Sequence, residues 1–199
     1  MNNQASTFSR TSVLGKLRGL SMASSSRHGF SKRSPVILAF DFETANNARN
    51  SACQLAVVRI EEWKVASENS WLIRPPSDHF LFTHIHGIEW RHVRHEPNFG
   101  ELWNEISPFF DGVDFLAAHN APFDRSVLDA CCSTHGLKNP RGQYIDSVQV
   151  ARNTFDIFPT KLDNVCDRLG IPLKHHDAGS DARACAQILI QANVAGWSP

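Results

Sequence analysis

The sequence predicts an α/β layered domain with a mixed five-stranded sheet, and three observations carry that expectation. Apolar runs of strand length sit near the start. Segments with apolar residues at i, i+3, i+4 and i+7 follow. The two kinds then come in the order three strands, helix, strand, helix, strand, helices. No internal repeat is visible.

The opening strand is Val36 to Thr44, an apolar run that ends in Asp41 and Glu43. Side chains alternate along a strand, so these two acids share one face while Phe40 and Phe42 share the other. Gln54 to Ile60 reads as a second strand and Lys64 to Ile73 as a third. The short polar turns between them suggest an antiparallel meander, which Pro75 and Pro76 end. A histidine-rich stretch follows (His84, His86, His92, His95). It has no cysteine and no regular ligand spacing that would argue for zinc.

Phe99, Leu102, Trp103 and Ile106 mark an amphipathic helix that stops near Pro108. Asp114 to Ala118 is a short strand running into His119-Asn120-Ala121-Pro122-Phe123-Asp124. Pro122 suits a first helical turn, and Val127, Leu128 and Cys131 give that helix its buried stripe. Tyr144 to Asp146 is the last strand candidate, with a helix through Val148 and Ala151. Thr160 is the expected cap of a helix carrying Leu162, Val165, Cys166 and Leu169, stopped by Gly170 and Pro172. The final helix carries Ala184, Cys185, Ile188 and Leu189.

Composition bounds the function. Of 199 residues, 42% are apolar, which supports a real core. No apolar run approaches the roughly 18 residues of a membrane helix, so no membrane partner is expected. Five cysteines form no C-x-x-C pair and read as reduced core residues, which favours a cytoplasmic setting. Adjacent Cys131 and Cys132 are not both expected to face the core, which marks one as a candidate reactive thiol. Net charge is zero, yet residues 1–34 carry six Lys/Arg and no acid, leaving a net of −6 on the remainder. An acidic body does not fit a protein gripping many phosphates. Residues 1–34, basic and Ser-rich, are expected to be a disordered extension, with 35–199 as the folded domain. A transit peptide is the alternative for that extension, and would make the location organellar.

Four acids stand where elements meet: Asp41 and Glu43 on the opening strand, Asp124 in a first helical turn, and Asp181 near the start of the last helix. Like charges at a strand end repel, and a divalent cation turns that repulsion into attraction, since carboxylate oxygens suit Mg²⁺ and Mn²⁺. His176 precedes Asp181 by five residues. On one continuous helix the two would lie about 140° apart, so their convergence needs His176 on the entering loop. Each feature also has a plain structural reading. Helix N-termini favour acids, Thr44 can be a turn hydroxyl, Phe123 can be core, His119 reads as structural, and Asp146, Asp163 and Asp177 read as turn or cap acids.

The segments D-F-E-T at 41–44, H-N-A-P-F-D at 119–124 and H-D-A-G-S-D at 176–181 resemble the three motifs of the DEDDh 3′→5′ exonuclease family, in order, approximate spacing and H-x-A-x-x-D form. The likeness spans about residues 36–190. That family includes the proofreading epsilon subunit of bacterial DNA polymerase III, ribonuclease T and oligoribonuclease. The resemblance implies a ribonuclease H-like three-layer fold and two-metal hydrolysis of phosphodiester bonds with Mg²⁺ or Mn²⁺. By motif position, Asp41, Glu43, Asp124 and Asp181 would hold the metals and His176 would be the general base. Thr44, His86, Asn120 and Phe123 would line the substrate groove.

The implied substrate is the 3′ end of single-stranded DNA. An RNA or oligoribonucleotide exonuclease is the alternative, distinguished from a DNA enzyme by contacts to the 2′-hydroxyl. A catalytically idle, polymerase-associated binding module is a third reading, disfavoured because all five motif residues are present. A polymerase partner is expected on a separate chain, and the resemblance is compatible with a homodimer.

Overall fold

A computed structural model describes residues 33–199; the expected disorder of residues 1–34 falls almost wholly outside the described residues. The sheet has the order β3-β2-β1-β4-β5, built from β1 (Ile37–Thr44), β2 (Ala52–Glu61), β3 (Lys64–Leu72), β4 (Phe115–Ala118) and β5 (Gln143–Asp146). β1 to β3 form the antiparallel meander, and β4 and β5 add to β1 in parallel. The mixed five-stranded sheet is therefore as expected.

Alternation along β1 separates two cores. Leu38, Phe40 and Phe42 face the layer made by α3 (Phe99–Ile106) and α4 (Ala121–Thr134). Ile37 and Ala39 face the opposite layer, where α5 (Ser147–Phe155) and α7 (Ala178–Val194) bring Val150, Ala178, Ala182, Cys185 and Leu189. Small residues on α7 let that helix lie close against β1 and β2. α6 (Leu162–Leu169) packs outside α7 through Val165, Cys166 and Ile188.

The histidine-rich stretch folds into two single turns, α1 (Thr83–His86) and α2 (Trp90–Val93). His92 Nδ1 accepts from the Glu89 N–H at 3.0 Å, so this histidine closes a helix start.

Two local expectations need correction. Thr160 does not cap α6; the N-cap is Lys161, without a side-chain bond. The Thr160 carbonyl is used by the His119 ring and its hydroxyl by Arg152. Cys131 and Cys132 are both buried, because α4 packs on the sheet and on α3 at once. Burial pushes both thiols up to about 12, so neither is reactive. Among the described residues no helix is long and apolar enough to cross a membrane.

Candidate active site

Strand lengths create the site. β1 pairs with β4 only as far as Ala39–Ala117, and β4 ends at Ala118. The end of β1 therefore overhangs, with its β4 side open. The β1–β2 register also shifts between Glu43 and Thr44, a bulge that bends the end of the strand while Thr44 stays paired with Ala52. Both carboxylates of β1 sit on this overhang, half-buried.

The chain leaving β4 must turn at once into α4. Asn120 makes that turn in the left-handed region (φ 73°), and its N–H donates to Asp146 Oδ1 at 3.0 Å. The same Asp146 oxygen caps α5 by accepting from Val148, as a cap acid should. His119 is fixed by Ser147 Oγ at 2.8 Å and the Thr160 carbonyl at 2.9 Å; burial keeps it neutral, and its role is structural. One turn into α4, Asp124 is almost fully buried and accepts from the Phe42 N–H at 3.0 Å.

α7 supplies the fourth acid. Asp177 caps it by accepting from Ser180 N, and Asp181 follows in the first turn, 5% exposed. Carboxylate oxygens of Asp41, Glu43 and Asp181 lie within 4.8 Å of one another.

Electrostatics at the cluster follow from packing acids together out of water. Asp41 is raised well above the usual carboxylate range by burial and then by Asp124, Glu43 and Asp181. Burial, with Asp181 and Asp177, lifts Glu43 to about 7. Asp124 rises to about 8, again mainly through burial, although the Phe42 N–H pulls the other way. Asp181 is raised by burial despite the neighbouring His175 and the His176 N–H. Asp181 Oδ1 is buried and has no hydrogen-bond partner. Four hard oxygen donors that destabilise one another, one with an unused buried lone pair, fit a divalent cation.

His176 stands on the loop entering α7, as convergence requires, in the left-handed region (φ 64°). Its N–H donates to Asp181 Oδ2 at 3.1 Å, while its exposed ring stacks on His175 at 3.8 Å between centroids. The ring that meets Asp181 belongs to His175, Nδ1 to Oδ2 at 3.3 Å. Motif spacing singles out His176 only, so nothing in the sequence marked His175.

Of the four expected groove residues, Thr44 is buried and its carbonyl accepts from His86 Nε2 at 3.2 Å. His86 Nδ1 accepts from the Ile88 N–H at 3.0 Å, and burial keeps the ring neutral. His86 thus holds the end of β1 in place. Asn120 is exposed, and half-buried Phe123 lies under the Arg49 guanidinium, 4.8 Å from its ring centroid. A concavity of about 700 Å³ lies between β2, β3 and the α7 entrance, and no member of the acid cluster lines it.

An α/β domain that gathers four carboxylates at the end of its first strand has the form of a divalent-metal-dependent phosphoryl-transfer or hydrolytic domain. The exonuclease family model RNase_T matches residues 38–189. The chain belongs to this family, the DEDDh 3′→5′ exonucleases, which are divalent-metal-dependent hydrolases. The PolC-type DNA polymerase III of Thermotoga petrophila is 28% identical over 178 residues, covering 88% of this chain and 13% of the relative. The chain thus spans about an eighth of the length of that curated relative. The nuclease domain of 3′hExo, a DEDDh family member bound to rAMP, superposes with TM-score 0.71 at 17% identity, over 83% of this chain and 94% of that one. Exonuclease X in complex with 5′-overhanging duplex DNA superposes with TM-score 0.62 at 22% identity, over 81% and 94%. Both neighbours share the ribonuclease H-like fold.

Proposed function

We propose that this protein removes nucleotides from the 3′ ends of single-stranded DNA by a two-metal mechanism. One observation carries the reading: Asp41, Glu43 and Asp181 converge within 4.8 Å beside buried Asp124, with Asp181 Oδ1 unpartnered. These four side chains would hold two Mg²⁺ or Mn²⁺ ions, which when bound stabilise the attacking and leaving oxygens of an in-line displacement.

The chain's own groups supply the rest. His176 is exposed, and desolvation and the neighbouring His175 lower its pKa below the ordinary histidine value, which favours the neutral ring that can take a proton from the attacking water. The new bond joins water oxygen to phosphorus, and the bond that breaks is P–O3′. A nucleoside 5′-monophosphate leaves, and the shortened strand keeps a 3′-hydroxyl. Asn120 and Phe123, at the start of α4, would receive the terminal nucleotide. The main chain at Thr44, steadied by His86, would form the opposite wall.

An RNA substrate is the second reading, favoured by the rAMP bound to the 3′hExo domain. The PolC-type relatives suggest a polymerase context, and a polymerase is the protein partner we propose. The test is digestion of 5′-labelled single-stranded DNA and RNA side by side with Mg²⁺, Mn²⁺ or EDTA, with Asp41→Ala as blank. A metal-dependent ladder shortening from the 3′ end, faster on DNA, supports the proposal. A faster RNA ladder selects the second reading, and no ladder on either substrate overturns both.

A further inference from the structure

We propose that His175, His176 and Asp181 form a second metal site, selective for a borderline transition cation such as Zn²⁺, whose filling switches the exonuclease off. The switching half rests on the function proposed above.

The first ground is geometric. One ligand atom from each of the three residues lies within 4.8 Å of the others. His175 Nδ1 and Asp181 Oδ2 are already 3.3 Å apart. That is the edge expected between two ligands on a tetrahedral Zn²⁺, about 3.3 Å for bonds near 2.0–2.1 Å. The two imidazoles are stacked 21° from parallel, and a ring nitrogen of His176 already lies within 4.8 Å of the other two ligand atoms.

The turn is also built before any ion arrives. Asp177 N–H donates to the Lys174 carbonyl at 3.2 Å, and Lys174 N–H to Ser180 Oγ at 2.7 Å. The loop that carries both histidines is therefore clamped to the first turn of α7, while the rings themselves stay exposed. Ordering cost on binding is correspondingly small.

Donor chemistry separates this site from its neighbour. Asp41, Glu43 and Asp124 offer only hard oxygens, which suit Mg²⁺ and Mn²⁺, whereas two imidazoles and one carboxylate suit Zn²⁺. Asp181 is common to both sets. A Zn²⁺ held by the histidines would draw on Asp181 and occupy the lone pair that His176 needs for accepting a proton. Binding there and turnover in the acid cluster are then mutually exclusive.

The test uses the full chain with excess Mg²⁺. Zn²⁺ is titrated in competition with a chromophoric chelator, and Co²⁺ is substituted as a visible-absorbing reporter of nitrogen ligation. Wild type, His175→Asn and His95→Asn are compared; His95 is exposed on the turn after α2. Turnover is read in parallel, each variant relative to its own zinc-free rate. His175→Asn should weaken Zn²⁺ binding at least 10-fold and raise the half-inhibiting Zn²⁺ concentration by the same factor, while His95→Asn changes neither. Equal Zn²⁺ affinity in wild type and His175→Asn overturns the site. Weakened binding with an unchanged inhibiting concentration overturns the switch. If wild type shows no Mg²⁺-supported turnover, the proposed function fails, and the chelator titration still decides the metal site.

Discussion

The backbone N–H of Phe42 donates to the carboxylate of Asp124 at 3.0 Å. This bond exists because β1 outruns β4: a strand N–H on the open edge takes a helix acid as its acceptor. It fixes the start of α4 against the strand that carries Asp41 and Glu43. Asp124 thus has two separable duties, as acceptor and as charge.

Substitutions can separate those duties. Asp124→Ala leaves the Phe42 N–H unsatisfied and should cost about 1–3 kcal/mol of stability. Asp124→Asn keeps an acceptor oxygen and removes a charge from a self-repelling cluster. In metal-free buffer at pH 8 it should be at least as stable as wild type, while turnover falls by roughly 100-fold or more. Urea unfolding with EDTA, alongside steady-state rates, checks both. Equal destabilisation by Asn and Ala would show that the charge, not the hydrogen bond, supports the fold.

Stability without metal should depend on pH in an unusual direction. Glu43 at about 7 and Asp124 at about 8 lie above their ordinary values of 4.5 and 3.8. Between about pH 4 and 8 the folded chain therefore holds more protons than the unfolded one, and stability falls as pH rises. Their contribution is complete below pH 4 and lost through pH 7–8. A cation needs the deprotonated cluster, so Mg²⁺ should stabilise more at pH 8 than at pH 6. At 100 times its Kd it adds about 2.7 kcal/mol, or roughly 5–10 °C for a chain of this size. Thermal melts at the two pH values, with Mg²⁺ or EDTA, measure this directly. An equal Mg²⁺ shift at both would contradict it.

Much of this arrangement is legible in the sequence. Alternation in residues 36–44 separates Asp41 and Glu43 from Phe40 and Phe42, and the five-residue step from His176 to Asp181 demands a loop. Tertiary contacts hid the rest. Thr160 looks like a cap, but His119 and Arg152 claim it. Cys131 and Cys132 look like an inside–outside pair, yet α4 has packed neighbours on two sides. His175 carries no periodic signal. In the folded chain, with His176 in the left-handed region, the two rings stack and Nδ1 of the first meets Asp181.

Asp41 and His176 should fail differently. Asp41 lies at the centre of the repelling cluster, and Asp41→Ala should remove all detectable turnover together with part of the Mg²⁺-induced rise in Tm. His176 is exposed and touches Asp181 only through its backbone, which Ala retains. His176→Ala should lose about 10²–10⁴-fold in kcat, the usual range for a general base. Its Mg²⁺-dependent melting shift should stay within about 2 °C of wild type, a change worth about 0.5–1 kcal/mol. Turnover by Asp41→Ala near the wild-type rate would remove the metal assignment. A wild-type rate for His176→Ala would remove the base.

Asn120 allows a cleaner separation of fold from substrate contact. Its backbone sits at φ 73°, where Asn is tolerated and Gly is unstrained, whereas Ala pays roughly 1–2 kcal/mol. Its side chain caps nothing in α4 and is exposed, four residues before Asp124. Asn120→Gly should therefore fold nearly as well as wild type, and Asn120→Ala should melt several degrees lower. If the amide binds the terminal nucleotide, both variants lose that contact, and KM for a single-stranded oligonucleotide should rise by a similar factor, about 5–10-fold for one hydrogen bond of roughly 1–1.5 kcal/mol. Matching KM values in two variants of unequal stability would place the Asn120 side chain on the substrate. A wild-type KM for Asn120→Gly would leave it only the turn.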